Sequence, residues 1–265
     1  MASFSVVSNV SAVNAQANLN TTNIGLQKAL ERLSSGYRIN RSGDDAAGLV
    51  VANQYRSEVA VLTQGLRNAG DGLSSLQIKD GALNNIAVLL DRLSSLATQS
   101  ASASSSVDRT ILDAEFQDVI TEIDREAAVA GLEAEQGFSV LVSAGTNGTI
   151  GGTIGAVDTT TLAIGSLSVD TAENAAAAVD EITAAVAILG SSQATVGTIQ
   201  NRLQFAMTLA QSQIVNNKAA ESRIRDANIA EESANLTRYS ILTQSGIAAL
   251  AQANSMTGSV LALLR

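Results

Sequence analysis

Between Leu62 and Leu90 the residues Leu62, Leu66, Ala69, Leu73, Leu76, Asp80, Leu83, Ala87 and Leu90 advance by alternating steps of four and three without a slip. That spacing keeps them on one side of an α-helix. A second stripe, Ala82, Ile86, Leu89, Leu93 and Leu96, runs beside the first. A helix with two adjacent seams has to pack against at least two neighbours, as in a bundle. Extended over about residues 44–100 it is on the order of 80 Å long at 1.5 Å per residue, and a compact globule rarely holds such a rod. The chain has no proline among its 265 residues, so long helices run without a breaker and folding has no prolyl isomerisation step.

The same spacing recurs at both ends. Val6, Val10, Val13, Ala17 and Ile24, with Asn20 in the gap, form one seam; it shifts at Gly25 and resumes as Leu26, Leu30, Leu33 and Tyr37. The first helix is therefore placed at about 5–34, followed by the turn-rich segment 36–45, where Ser42 or Asp44 is suited to cap the next helix. After the Ser/Ala tract 100–106, read as a loop, Leu112, Phe116, Val119 and Ile123 mark a shorter helix to about Ala128. From Gly137 to about Val169 the composition turns to Gly, Thr, Val and Ile, with Asn147-Gly148 and Gly151-Gly152 as turn signals, which reads as short hairpins. Asp170 and Glu173 resemble a capping box. They open a further long seam, Ile182, Val186, Leu189, Gln193, Val196, Gln200, Leu203, Met207, Ala210, Ile214, Asn217, Glu221 and Ile224. A last helix spans about 229–264, with Leu236, Thr243, Ile247, Leu250, Leu261 and Leu264 on one stripe.

The expected fold is mainly α: long antiparallel helical rods in a coiled-coil bundle, with a small β-hairpin segment in the middle. The divisions are 1–43 (first helix and linker), 44–135 (N-terminal half of the rod), 136–169 (hairpins), 170–226 (C-terminal rod helix) and 227–265 (last helix). Rod packing is assigned to Leu62, Leu66, Leu73, Leu76, Leu83, Leu90, Leu203, Met207 and Ile214. The terminal helices are low in charge, and a two-helix pair is marginal alone. They are expected to order by packing on other copies of the chain, through Val6, Val10, Val13, Ala17, Ile24, Leu30, Leu33, Leu236, Ile247, Leu250, Leu261 and Leu264.

Composition removes most enzyme chemistry. With no Cys and no His, the chain lacks the residues of a typical zinc, haem or iron-sulfur site, of a Ser-His-Asp triad or of a disulfide. No cofactor is implied. Charged residues are 15% of the chain, against about 25% on average, and the net charge is −9. Sparse charge fits a surface covered by copies or partners, and an acidic chain argues against nucleic acid or an anionic membrane as the partner. Met1–Ser8 has neither a basic nor a continuous apolar region, so it does not read as a secretory signal peptide, and no stretch reads as long and apolar enough to span a membrane, so no membrane insertion is expected. Asp44-Asp45 reads as a cap or ion pair rather than a metal site. Gly148–Gly155 lacks a phosphate-binding pattern.

Several blocks resemble bacterial flagellin. Leu30–Asn40 (LERLSSGYRIN), Asp44–Leu49 (DDAAGL), Ser75–Leu83 (SLQIKDGAL), Leu96–Ala101 (LATQSA) and Glu122–Arg125 (EIDR) look like the family's N-terminal region. Ala230–Tyr239 (AEESANLTRY), Gln252–Asn254 (QAN) and Val260–Arg265 (VLALLR) look like its C-terminal region. The resemblance covers roughly 1–143 and 170–265. It implies a secreted structural subunit of the extracellular flagellar filament, whose terminal helices line a central channel and whose rods form the tube around it. It also implies unfolded export through that channel by the type III route and assembly at the tip, with an export chaperone, hook-associated junction proteins and a filament cap as partners. The outer domains of larger flagellins would be reduced here to the hairpin segment. Where flagellins are recognised by Toll-like receptor 5, Arg92, Leu96, Gln99, Ser100 and Glu115 match the motif, whereas Leu93-Ser94-Ser95 and Ala101-Ser102 depart from it. At Ser255–Gly258 the family often carries a proline, whose absence favours a straighter last helix. The competing readings are a hook-filament junction protein and a soluble signalling coiled coil. The latter requires a seam through 137–169, and that segment has none.

Overall fold

The computed structural model describes residues 9–102, 108–145 and 147–263, the last seven by backbone alone. Its elements are α1 (Val10–Ser35), α2 (Ala46–Ala101), α3 (Arg109–Ala130), β1 (Gln136–Leu141), β2 (Thr149–Ile154), α4 (Ala172–Arg225) and α5 (Ile229–Leu263). Each helix starts where a short polar side chain takes up its orphan amides. Asn9 Oδ1 accepts from the Ala12 amide at 3.0 Å, Asp45 Oδ1 from Gly48 at 2.9 Å, Asp108 Oδ1 from Thr110 at 3.0 Å and Asn228 Oδ1 from Ala230 at 3.2 Å. The α4 cap is Thr171, whose Oγ1 accepts from the Asn174 amide at 3.1 Å. The capping box expected at Asp170 and Glu173 does not form: the cap sits one residue later, because the hydroxyl of Thr171 reaches the third amide, and Asp170 instead accepts from the Asn174 side chain. Helix α5 continues unbroken through Ser255–Gly258.

The chain forms two compact units, one of residues 1–57 with 216–265 and one of 58–215. In the second, α2, α3 and α4 share one core. Leu62, Leu76, Leu83 and Leu90 of the first α2 stripe and Ile86, Leu93 and Leu96 of the second are buried in it. Leu112, Phe116, Ile120 and Ile123 enter from α3, and Ile182, Leu189, Val196, Ile199 and Leu203 from α4. A fully buried Leu or Phe contributes about 1.5–3 kcal/mol, so this core carries the unit's stability. Leu66 and Leu73 are half-buried, and Met207 and Ile214 pack on the core's margin. Ser100, assigned to a loop from its Ser/Ala surroundings, lies inside α2 and is fully buried, its hydroxyl donating to the Val169 carbonyl at 2.5 Å.

One antiparallel hairpin, β1 with β2, pairs Gln136 with Ile154 through Leu141 with Thr149. The rest of the stretch read as hairpins, residues 155–169, is turns and irregular chain. Its alternating apolar residues do not mark strands; Val157, Leu162, Ile164 and Val169 are core plugs. The segment is pinned to α3 by side chains that the apolar pattern does not reveal. Asp124 accepts from the Thr159 amide and hydroxyl at 2.9 and 2.8 Å, Asp113 from the Val169 amide and Ser168 hydroxyl at 2.8 and 2.9 Å, and Gln117 Nε2 donates to the Leu167 carbonyl at 2.8 Å.

Helix α4 contains an 18-residue window of mean hydropathy 1.4, a third of it buried, so by length and composition it is apolar enough to cross a membrane. This corrects the expectation that no stretch reaches that level. Dense Ala, Val and Ile produce it, and the core takes only the Ile182, Ala185, Leu189 and Val196 face.

Candidate functional site

In the first unit α1 and α5 run antiparallel, and four relationships fix one register. Asn9 Nδ2 donates to the Ala253 carbonyl at 2.9 Å, and Arg32 Nη1 donates to Glu232 Oε1 at 2.8 Å. Between them Gly246 faces Leu19, and Gly25 faces Tyr239. Past the helix ends the linkers join in a bridge of Tyr37 with Asp226. The Arg38 amide donates to the Arg225 carbonyl at 2.6 Å and the Ala227 amide to the Gly36 carbonyl at 2.9 Å. The Arg225 guanidinium lies 4.2 Å from the Tyr37 ring centroid, within cation–π range.

The turn before α2 is held by two carboxylates with separate tasks. Asp45 caps the helix, while Asp44 takes an ion pair from Lys28 at 2.8 Å and the amides of Arg41 and Asn40. The Lys28 hydrogen bond, followed by the Arg41 amide, holds the Asp44 carboxyl at about 2. Among the described residues no three potential metal ligands cluster.

The pair buries little. Among the described side chains, Ala29 is the buried residue of α1 and Glu232 that of α5. Leu33 of α1 and Leu236 and Leu250 of α5 are half-buried. The seam Val10, Val13, Ala17 and Ile24 points away from α5; Val13 is 64% exposed, and Leu30 is exposed on another side. On α5, Ile247 is 56% exposed, as are Ile229, Ile241 and Leu242 to a similar degree. Val6 and Leu264 lie outside the described residues, and Leu261 is described by backbone alone. Periodicity found the stripes, but it could not tell which of two α1 stripes faces α5. That is decided by Gly25 and Gly246, which let the backbones close on the Leu19 and Leu26 side.

Val10, Val13, Ile24, Ile241, Leu242 and Ile247 lie in stretches without charge: residues 1–27 and 239–264 contain no Asp, Glu, Lys or Arg. Exposed apolar stripes in a surface without charge are a feature of protein interaction sites.

On the other unit Arg92 of α2 and Glu115 of α3 form an exposed ion pair. Leu96 does not join them at the surface. It is 1% exposed and part of the core, because its apolar stripe is what holds α2 in the bundle. Ser100 is likewise interior. A protein docking at Arg92 and Glu115 would meet neither.

Two family models match this chain: the bacterial flagellin N-terminal helical region over residues 6–139 and the bacterial flagellin C-terminal helical region over residues 179–264. Flagellin FlaB1 of Treponema pallidum (strain Nichols) is 35% identical, over 97% of this chain and 98% of that protein. The flagellar filament 33 kDa core protein of Treponema phagedenis is 36% identical over the same shares, and a flagellin of Halalkalibacterium halodurans is 35% identical, also over the same shares. A crystal structure of Bacillus cereus flagellin is 27% identical, covering 58% of this chain and 94% of that one, with a TM-score of 0.47. A helix pair that leaves apolar stripes uncovered along an uncharged stretch and relatives matched over nearly the whole chain agree: the chain belongs to the bacterial flagellin family, whose members are structural subunits of the flagellar filament and not enzymes.

Proposed function

We propose that this chain polymerises into the filament through α1 and α5, whose stripes at Val10, Val13, Ala17, Ile24 and Ile247 pack on the terminal helices of neighbouring copies. The observation that carries this is the uncharged stretch of the pair, residues 10–27 with 239–256: the pair's own interface leaves Val10, Val13, Ala17, Ile24 and Ile247 exposed, and a chain of net charge −9 repels its copies least where no carboxylate stands. Contacts between unlike faces of identical subunits do not close and so extend into a helical array. Deleting residues 1–34 or 229–265 should leave a soluble chain that retains the α2, α3 and α4 core by circular dichroism and forms no filaments in electron micrographs after seeding. Filaments from both truncations would refute the assignment.

The same reading makes the protein extracellular, exported unfolded and assembled at the tip. A chain without thiols or prolines suits that route, since it refolds without disulfide formation or slow isomerisation. Its partners on the way are an export chaperone, the hook-associated junction proteins and the filament cap. Recognition by Toll-like receptor 5 is assigned to the exposed pair Arg92 and Glu115, without Leu96.

A further inference from the structure

The unit of residues 58–215 holds a cleft of about 570 Å³ between the turn that follows α3, the chain leaving β2 and one side of α4. Glu133 and Glu135 line it from the turn, Gly155 and Thr161 from the segment after β2, and Ile188 and Ser192 from α4. Ser192 is 5% exposed, yet its hydroxyl has no hydrogen-bond partner among the described residues. It is turned towards the cleft: a Cβ at Gly155, on the facing wall, would stand 3.2 Å from Ser192 Oγ. A buried hydroxyl without a partner is rare in a folded protein. Charge in the cleft is also uncompensated. Neither Glu133 nor Glu135 takes part in an ion pair among the described residues. The basic residues of the unit are Arg67, Lys79, Arg92, Arg109, Arg125 and Arg202. Each is turned to another acceptor, in that order Gln64, the Ala130 carbonyl, Glu115, the Ser100 carbonyl, Glu122 and the Gly151 carbonyl.

We infer that this cleft is a binding site for a small organic cation, an aliphatic amine whose ammonium is held by the Glu133 and Glu135 carboxylates. The charged groups of the lining are both acceptors, so the charge they select is positive. A bare divalent ion is a poor occupant, because it seeks about six to eight oxygens in a close shell and the lining supplies two carboxylates across a space many times the roughly 30 Å³ of one water. Small-molecule sites span about 300–1,000 Å³, and this cleft falls within that range. Ile188, 38% exposed, offers an apolar wall to the methylene stem of an amine. The Ser192 hydroxyl gains from a second polar group on the ligand the hydrogen bond that the fold does not give it. A diamine on a short methylene chain carries all three features.

The probe is diaminobutane, titrated into the full-length monomer and followed by backbone amide NMR against sodium chloride of equal ionic strength. Saturable shifts are expected at the amides of Glu135, Gly155 and Ser192, with half-saturation on the order of 1 mM, since exposed ion pairs are individually weak. Glu133→Gln combined with Glu135→Gln keeps the side-chain size, and both residues are exposed, so the double variant should fold as wild type. Its half-saturation should rise by about tenfold or more. Gly155→Ala brings a methyl group against the Ser192 hydroxyl and should weaken binding while leaving the charge in place. Shifts reproduced by sodium chloride, or a double variant that binds as tightly as wild type, would overturn the site. Calcium chloride that gives the same saturable shifts and displaces the diamine would make this an inorganic cation site and overturn the amine reading. Unchanged binding by Gly155→Ala would overturn the part assigned to Ser192. Because the titration uses monomer, its failure leaves the filament reading intact.

Discussion

Gly25 of α1 lies against the ring of Tyr239 in α5: a Cβ at residue 25 would stand 2.7 Å from both Cε1 and Cζ. Carbon atoms attract at about 3.5–4.0 Å, so the ring has to move before any side chain fits. Gly25→Ala sets about 1 kcal/mol of added helix propensity against that displacement, and the displacement should dominate. Filaments of Gly25→Ala are expected to dissociate at lower temperature than wild type. Adding Tyr239→Leu should recover the loss, with a coupling of about 1 kcal/mol between the two sites. Strictly additive effects would show that the contact does not set the spacing of the pair.

Arg32 and Glu232 make a largely buried ion pair at 2.8 Å, with side chains 24% and 10% exposed. Arg32 Nε has no partner, so Glu232 is the group that satisfies the guanidinium. Truncating Glu232 to Ala strands a cation against α5, a loss of about 3 kcal/mol. Glu232→Gln keeps an acceptor and should cost less. Guanidinium denaturation of filaments gives the order wild type, Glu232→Gln, Glu232→Ala; equal midpoints for all three would show that the pair contributes nothing.

The pH response of the linker follows from Asp44. Its carboxyl titrates near 3.8 without the fold and at about 2 with it, lowered first by the Lys28 hydrogen bond. A lowered acid stabilises the folded state fully above the unfolded value, and that contribution fades as pH falls from about 4 towards 2. Asp44→Asn should therefore expose the amides of Asn40 and Arg41 to faster hydrogen exchange at pH 6, where wild type protects them. The two proteins should converge as pH approaches 2. A mutant indistinguishable from wild type at pH 6 would contradict the assignment.

What the sequence made legible was whatever repeats. The α2 stripes recur often enough that both seams could be drawn, and α2 and α4 begin and end within a few residues of the limits expected; the cap of α2 is Asp45 and not Ser42 or Asp44, because Asp44 is drawn to Lys28 and the amides of Asn40 and Arg41. Single events were not legible. Asp113, Gln117 and Asp124 hold residues 157–170 through lone polar contacts that leave no periodic trace, so Val157 and Ile164 looked like strand residues. Leu96 looked equally suited to the surface and the core, since an apolar residue on a two-seam helix reads the same from either side. The orientation of α1 turned on Gly25, a position where the informative feature is a missing side chain.

Lys79 is 8% exposed, and its Nζ donates to the Ala130 and Gly131 carbonyls and to Gln136 Oε1 at 3.0–3.2 Å. It caps the C-terminus of α3, where the helix dipole favours a cation. Its burial lowers the ammonium pKa below the ordinary lysine value. Lys79→Met fills the space but leaves carbonyls without a donor, and should destabilise the 58–215 unit by about 1–3 kcal/mol. Urea denaturation of the monomer measures this. A wild-type midpoint would mean that water replaces the ammonium at no cost.

Gly65 is where α2 admits the hairpin. A Cβ there would fall 1.8 Å from the Val142 carbonyl oxygen, a backbone atom with no side-chain freedom to yield. Val140 and Val142 are both core residues at the end of β1, and Asn68 Nδ2 donates to the Leu141 carbonyl at 3.3 Å nearby. Gly65→Ala should therefore push this backbone off α2 and draw both valines out of the core, a loss of about 2 kcal/mol or more. Gly81 of the same helix supplies the control, because a Cβ there meets nothing within 4 Å. Gly81→Ala should stabilise the monomer by up to about 1 kcal/mol through helix propensity alone. Opposite shifts in the denaturation midpoint establish close approach as the reason for glycine at residue 65; matching gains would show that the hairpin's seat on α2 is free to adjust.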